Sequence, residues 1–167
     1  MERSLATHER AVEPDEAQEV SAFAKDGRNI LKLGFFAKDP AKVVAAIDGH
    51  IDKTQQALRS GSLTLSDEET VFLSLQLGCL WGEQLVKALN WEWTCLTADG
   101  DQYAVASRDR ALVILPTYFA RSCFAYPDLD CTAALSFNML VANKFTEVPA
   151  NSYLNVLDNV VRIVPRH

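Results

Sequence analysis

Nucleophilic catalysis has few candidates in this chain: four cysteines, Cys79, Cys95, Cys123 and Cys131, and one internal histidine, His50. Such chemistry needs a thiol with a base in hydrogen-bond reach, so His50 with a cysteine would make a hydrolase or a transferase. His8 and His167 lie near the two ends and offer no second internal base. The cysteines form no C-x-x-C pair and show none of the paired spacing of a zinc site, so no metal is expected. In a sequence that opens without an apolar leader and reads as cytoplasmic, they are expected to be buried thiols rather than a disulfide framework.

Carboxylates are more plentiful. "ADGDQ" and "PDLDC" each set two aspartates two apart, but neither continues into the longer ligand series of a calcium loop, and turn chemistry accounts for Asp99 and Asp101. The seven glycines spell no phosphate-cradling motif. No cofactor is therefore expected. The net charge of −6 argues against nucleic-acid binding, and no apolar run approaches a membrane span. The acidity is uneven: residues 1–60, 61–110 and 111–167 carry −1, −5 and 0. The middle third places Glu68 and Glu69 beside Asp67 at a helix start, Glu83 on a polar stripe, Asp99 and Asp101 at a hairpin tip, and Glu92 and Asp109 nearby. These acids form either a solvated face or a docking surface for a basic protein, since complementary charge speeds encounter and excludes wrong partners.

The elements that position these side chains follow from caps and periodicity. Residues 1–12 lack apolar periodicity and read as a mobile tail, leaving 13–167 as one domain. Pro14 with Asp15 and Glu16 suits a helix start, and Val20, Phe23, Gly27 and Ile30 recur on one side. A second helix runs from Asp39 as N-cap and Pro40, through Val44, Ile47, Ile51 and Leu58, to Gly61 just past its end. Ser66 and Glu69 have the spacing of a capping box, opening a third helix that extends to about Asn90.

On the third helix, Val71, Leu75, Gly78, Gly82, Leu85 and Leu89 share one arc, whereas Gln76, Glu83 and Lys87 share the other. The glycines read as packing devices, with close approach of a ligand as the alternative. Glu83 and Lys87 form a favourable i,i+4 pair. Leu73 and Leu80 border that polar stripe and need a cover, either from the fold or from a partner.

The period then changes. "WEWTCLT" and "QYAVASR" alternate about an Asp-Gly turn, predicting a β-hairpin over Trp91–Arg108, and "ALVILP" predicts a third strand of an antiparallel sheet ended by Pro116. Trp91 and Trp93 should share one sheet face, leaving Glu92 on the other. "TYFARSCFA" and "CTAALSFNMLVANKF" read as helices, and "NSYLNVLDNVVRIVP" as a helix passing into a terminal strand. The class is α+β: N-terminal helices packed with a small antiparallel β-sheet, with further helices in the C-terminal third.

Over residues 66–121 the succession "LGCLWGEQLVKAL", "NWEW", a hairpin, "ALVILP" and then Arg121 resembles a family of small bacterial domains of unknown function. As a small, acidic, single-domain chain without a catalytic set, it is also similar to the immunity proteins that bacteria pair with antibacterial toxins. That resemblance implies a non-enzymatic protein that occludes the active site of a basic toxin domain with an acidic surface. An adaptor or chaperone for a secreted effector would instead favour an exposed apolar groove, and a cysteine-dependent hydrolase or transferase would use His50.

Overall fold

Three long helices form the frame, each opened by a local cap, in a computed structural model that describes residues 8–34, 37–97, 100–164 and 166. Helix α1 (Pro14–Ile30) begins with Pro14 at its first position and a reciprocal cap between Glu13 and Glu16. Helix α2 (Pro40–Ser60) starts where Asp39 accepts the Ala41 N–H and stops at Gly61, whose φ of 75° suits glycine. Helix α3 (Asp67–Leu89) carries the Ser66–Glu69 capping box and ends at Asn90 in the left-handed region.

Helix α3 is central, with α1 and α2 packed against it, and Leu77, Leu80, Trp81 and Leu85 are fully buried. Leu80 is covered by α1, because a Cβ added at Gly27 would lie 3.2 Å from the Leu80 Cβ and 2.4 Å from the Gln76 carbonyl oxygen. The fold therefore supplies the cover that Leu80 needs. Helices α4 (Pro116–Ala125) and α5 (Ala133–Val141) complete the helical layer.

The sheet has the order β1 (His8–Arg10), β2 (Glu92–Thr97), β3 (Asp101–Ala106), β4 (Leu112–Ile114) and β5 (Leu154–Asn155). The hairpin and the "ALVILP" strand stand as expected, and Pro116, besides ending that strand, opens α4. Three expectations change. Residues 8–10, read as tail, form an edge strand antiparallel to β2, a pairing made by distant residues that three amino acids cannot announce. The sheet is mixed rather than antiparallel, because β5 runs parallel to β4. In the last segment the order is reversed: strand β5 precedes a single 3₁₀ turn, Val156–Asn159. Among the described residues, no helix is long and apolar enough to cross a membrane.

Strand alternation separates two faces. Trp93, Val105 and Ile114 join the main core under the helices, whereas Leu96, Ala104, Ala106, Val113 and Leu115 form a second apolar cluster with Tyr153 against it. Ala104 and Ala106 are small, which leaves room for an aromatic ring to lie over the sheet.

Candidate functional site

The acids that the sequence gathers into one patch are distributed by the fold. Glu92 pairs across the sheet with Ala106 and Asp101 with Thr97, so the two carboxylates fall on opposite faces. Glu92 lies 2.6 Å from Arg110 Nη1 on the outer face. Asp101 lies 2.7 Å from Arg10 Nη2, and the same guanidinium lies 2.6 Å from Glu16. Arg10 and the Glu13 N–H hold the Glu16 carboxyl down at about 2.

The other candidates are mostly engaged as well. Asp109 accepts from the Ala111 N–H at 3.0 Å and the Ser107 hydroxyl at 2.8 Å in the turn between β3 and β4, which lowers its pKa. Glu83 sits 3.9 Å from Arg28 and 3.8 Å from Lys87, and Glu69 belongs to the α3 cap. Glu68 is exposed and makes no hydrogen bond or ion pair among the described residues. Asp99 lies outside the described residues. Arg10 comes from the segment read as a tail, and Arg110 reaches Glu92 only once the strands are aligned.

Glu9, absent from the sequence expectations, is the centre of the outer-face network. Its Oε1 accepts from Thr94 Oγ1 at 2.7 Å and from Arg110 Nε at 2.8 Å, and Tyr153 donates its phenol to Oε2. Burial pushes the Glu9 carboxyl up, but the donors Arg110, Tyr153 and Thr94 and the Arg110 charge outweigh it, so the net shift is downward. Arg110, Asn151 and Tyr153 all adopt left-handed backbone, with φ of 59°, 62° and 48°. They are held there by one another: the Asn151 N–H donates to the Asp109 carbonyl and the Tyr153 N–H to the Arg110 carbonyl, both at 2.9 Å. The cluster is a strut that pins the C-terminal segment across the sheet, with both Glu9 carboxylate oxygens and the Arg110 guanidinium engaged within it.

A more open surface lies between α3, α4 and β3. The two helices touch where Thr117 backs onto Gly78, at which an added Cβ would come within 2.5 Å of the Thr117 Cα, and where the tilted rings of Trp81 and Phe119 meet with centroids 5.6 Å apart. On the N-terminal side of that contact, Val71 and Leu75 of α3 face Thr117, Tyr118 and Arg121 of α4 across a groove of about 260 Å³, with Tyr103 of β3 also lining it. Tyr118 is 59% exposed, and Arg121 makes no ion pair or hydrogen bond among the described residues. Asp67 and Glu68 begin the helix that forms one wall. An apolar floor with an exposed aromatic, an arginine and the Asp101 carboxylate in its lining has the make-up of a protein-binding patch.

The thiol chemistry is poorly served. All four cysteines are buried and free. Burial, with Glu19 nearby, pushes the Cys79 thiol up to about 12, and Cys131 is raised by the Cys123 thiol, burial and Asp48. What Cys131 meets is the Asp48 carboxylate, at 3.7 Å. The His50 side chain makes no hydrogen bond among the described residues, and burial and Lys53 lower its pKa. Among the described residues, no three His, Cys, Asp or Glu side chains cluster as a metal site would require. Comparison with protein families, curated proteins and solved structures finds no match to this chain.

Proposed function

We propose that the chain is a non-enzymatic protein-binding module, an immunity protein that neutralises a cognate antibacterial toxin by covering its active site. The observation that carries this reading is the groove between α3 and α4, where Tyr118 stands 59% exposed beside Arg121 over the apolar side chains of Val71 and Leu75. Tyrosine and arginine are the residue types that dominate binding energy when a partner desolvates them. The net charge of −6, with Asp101 lining the groove and Asp67 and Glu68 exposed at the start of α3, favours encounter with a basic toxin surface.

A second reading, an adaptor for a secreted effector, is favoured by the apolar floor of the same groove. Co-expression separates the two. The chain is produced together with a toxin encoded beside its gene, and growth and complex formation are followed. An immunity protein restores growth, and Tyr118→Ala with Arg121→Ala abolishes both protection and the complex. Protection that survives the double variant overturns the groove as the site. A complex that forms without restoring growth favours the adaptor.

A further inference from the structure

At the opposite end of α3 from that groove, a pocket of about 430 Å³ opens where two helices stop. Leu89, the last residue of α3, and Leu140, next to last in α5, belong to its wall, and the turn between β3 and β4 adds Asp109. Trp91, Leu112 and Leu140, each 8% exposed, make the floor, with Phe145 half-buried beside them. Asp109, Asn143 and Thr146 are exposed and make the mouth. Small-molecule sites occupy roughly 300–1,000 Å³ and combine an apolar lining with a few polar groups in this way.

The charge of the pocket is one-sided. Among the described residues that line it there is no lysine or arginine. Asp109 Oδ1 accepts from the Ala111 N–H and the Ser107 hydroxyl, which lowers the pKa and keeps the group a carboxylate at neutral pH. Its Oδ2 accepts from no other residue among those described. The arginines on either side of it in sequence are committed elsewhere: Arg108 donates to the Asn90 carbonyl and side-chain oxygens at 3.0 and 3.1 Å, and Arg110 lies 2.8 Å from Glu9 and 2.6 Å from Glu92. Lys87, in the last turn of α3, pairs with Glu83 at 3.8 Å, and Lys144 is exposed and outside the lining. The C-termini of α3 and α5, the negative ends of their dipoles, add to the same field. An anion is therefore disfavoured here, whereas an organic cation gains the carboxylate and the aromatic rings of Trp91 and Phe145.

We propose that this pocket binds a small organic amine in its protonated form, with the ammonium donating to Asp109 Oδ2 at the mouth and an aromatic or aliphatic body on the floor of Trp91, Leu112 and Leu140. None of these residues lines the groove of the proposed function, so either site can fail alone. Two substitutions probe the pocket without touching its floor. Asp109→Asn removes the charge while keeping a side-chain oxygen for the Ala111 N–H and the Ser107 hydroxyl. Thr146→Lys places a cation at the mouth, on an exposed residue that makes no hydrogen bond among those described.

The test is a set of ¹H–¹⁵N correlation titrations of the full chain. The probes are phenethylamine, protonated at neutral pH, and hydrocinnamate, an anion of similar shape. The amine is expected to shift the resonances of Leu89, Trp91, Asp109 and Phe145 saturably, and to bind at least tenfold more tightly than the anion. Asp109→Asn and Thr146→Lys are each expected to weaken it at least fivefold while the rest of the spectrum is retained. Where Asp109→Asn disturbs the turn itself, Thr146→Lys decides. Equal affinity for amine and anion, amine binding unchanged in Thr146→Lys, or no saturable shift with the amine overturns the proposal.

Discussion

Tyr153 donates its phenol to Glu9, joining residues 144 apart in sequence that belong to opposite edges of the sheet. Glu9 lies on edge strand β1, and Tyr153 immediately precedes edge strand β5 while packing on the second apolar cluster. Replacing Tyr153 by Phe keeps the ring on this cluster and removes only the donor. A hydrogen bond to a charged group contributes about 1.5–3 kcal/mol, so Tyr153→Phe is expected to lower unfolding free energy by about that amount in a denaturant titration. A change within error would mean that ring packing alone holds the segment.

Acid should loosen the same edge strand, since Glu9 lies on β1 and Glu16 holds its Arg10. The Glu9 carboxyl is lowered in the folded protein, and that of Glu16 is brought from an ordinary 4.5 to about 2. Groups whose folded pKa is depressed stabilise fully above their unfolded value and lose that contribution as pH falls through the folded one. Stability contributed by Glu16 should therefore be constant above about pH 5 and decline between 4.5 and about 2. Denaturation midpoints measured across this range should fall, and Glu16→Gln should flatten part of the slope. An identical slope in the variant would remove Glu16 from the account.

Three helical glycines should divide in their answer to alanine, Gly78 and Gly82 on one side and Gly49 on the other. At Gly82 an added Cβ would lie 2.2 and 2.3 Å from the rigid Trp93 indole, and at Gly78 it would meet Thr117 backbone. Overpacking of this kind costs about 1–3 kcal/mol, and more where backbone must move, so both Gly→Ala variants should lower the melting temperature. Gly49, inside α2 with nothing within 4 Å of its added Cβ, should instead gain about 0.5–1 kcal/mol from helix propensity. Stabilisation by Gly78→Ala would contradict the close contact of α3 with α4.

What the sequence made legible was local. Pro14, the Asp39–Pro40 and Gly61 pair, and the Ser66–Glu69 box signal their helices through contacts within four residues, and the glycine arc of α3 marks a packed face. What it concealed was long-range. Residues 8–10 become a strand only because β2, more than eighty residues later, offers an edge, and β5 is two residues that dock, with Tyr153 before them, through the Ala111 and Arg110 carbonyls. The candidate site suffered in the same way. Asp101 and Glu92 look free until Arg10 and Arg110 arrive, and strand parity then puts them on different faces. The groove of Tyr118 and Arg121 required the relative placement of α3 and α4, which no single segment encodes.

Charge reversal at those two acids is consequently a stability experiment first. Glu92→Lys would face Arg110 and Asp101→Lys would face Arg10. The acids' side chains are 43% and 55% exposed, so each lost pair is worth at most about 1 kcal/mol, with repulsion adding a similar amount at low salt. The two variants should be additive, since they lie on opposite faces and share no partner. Melting temperatures at low and high salt test this, with the deficit shrinking as salt rises. Asp101 also lines the α3–α4 groove, and weakened partner binding by Glu92→Lys without any loss of stability would bring Glu92 into the interface as well.

Thiol reactivity tests the catalytic alternative. A nucleophilic cysteine must reach its thiolate near neutral pH, which calls for a lowered pKa and some access to solvent. Cys79 and Cys131 are shifted the other way, and Cys79, Cys95, Cys123 and Cys131 are all buried. With a disulfide reagent at pH 8, the native protein is expected to release no rapid burst of thiolate product, and all four cysteines should react at the rate set by unfolding. In denaturant they should react at once. A single thiol that labels quickly in the native state, with a rate that falls in His50→Ala, would overturn the non-enzymatic reading and place a cysteine–histidine pair in its stead.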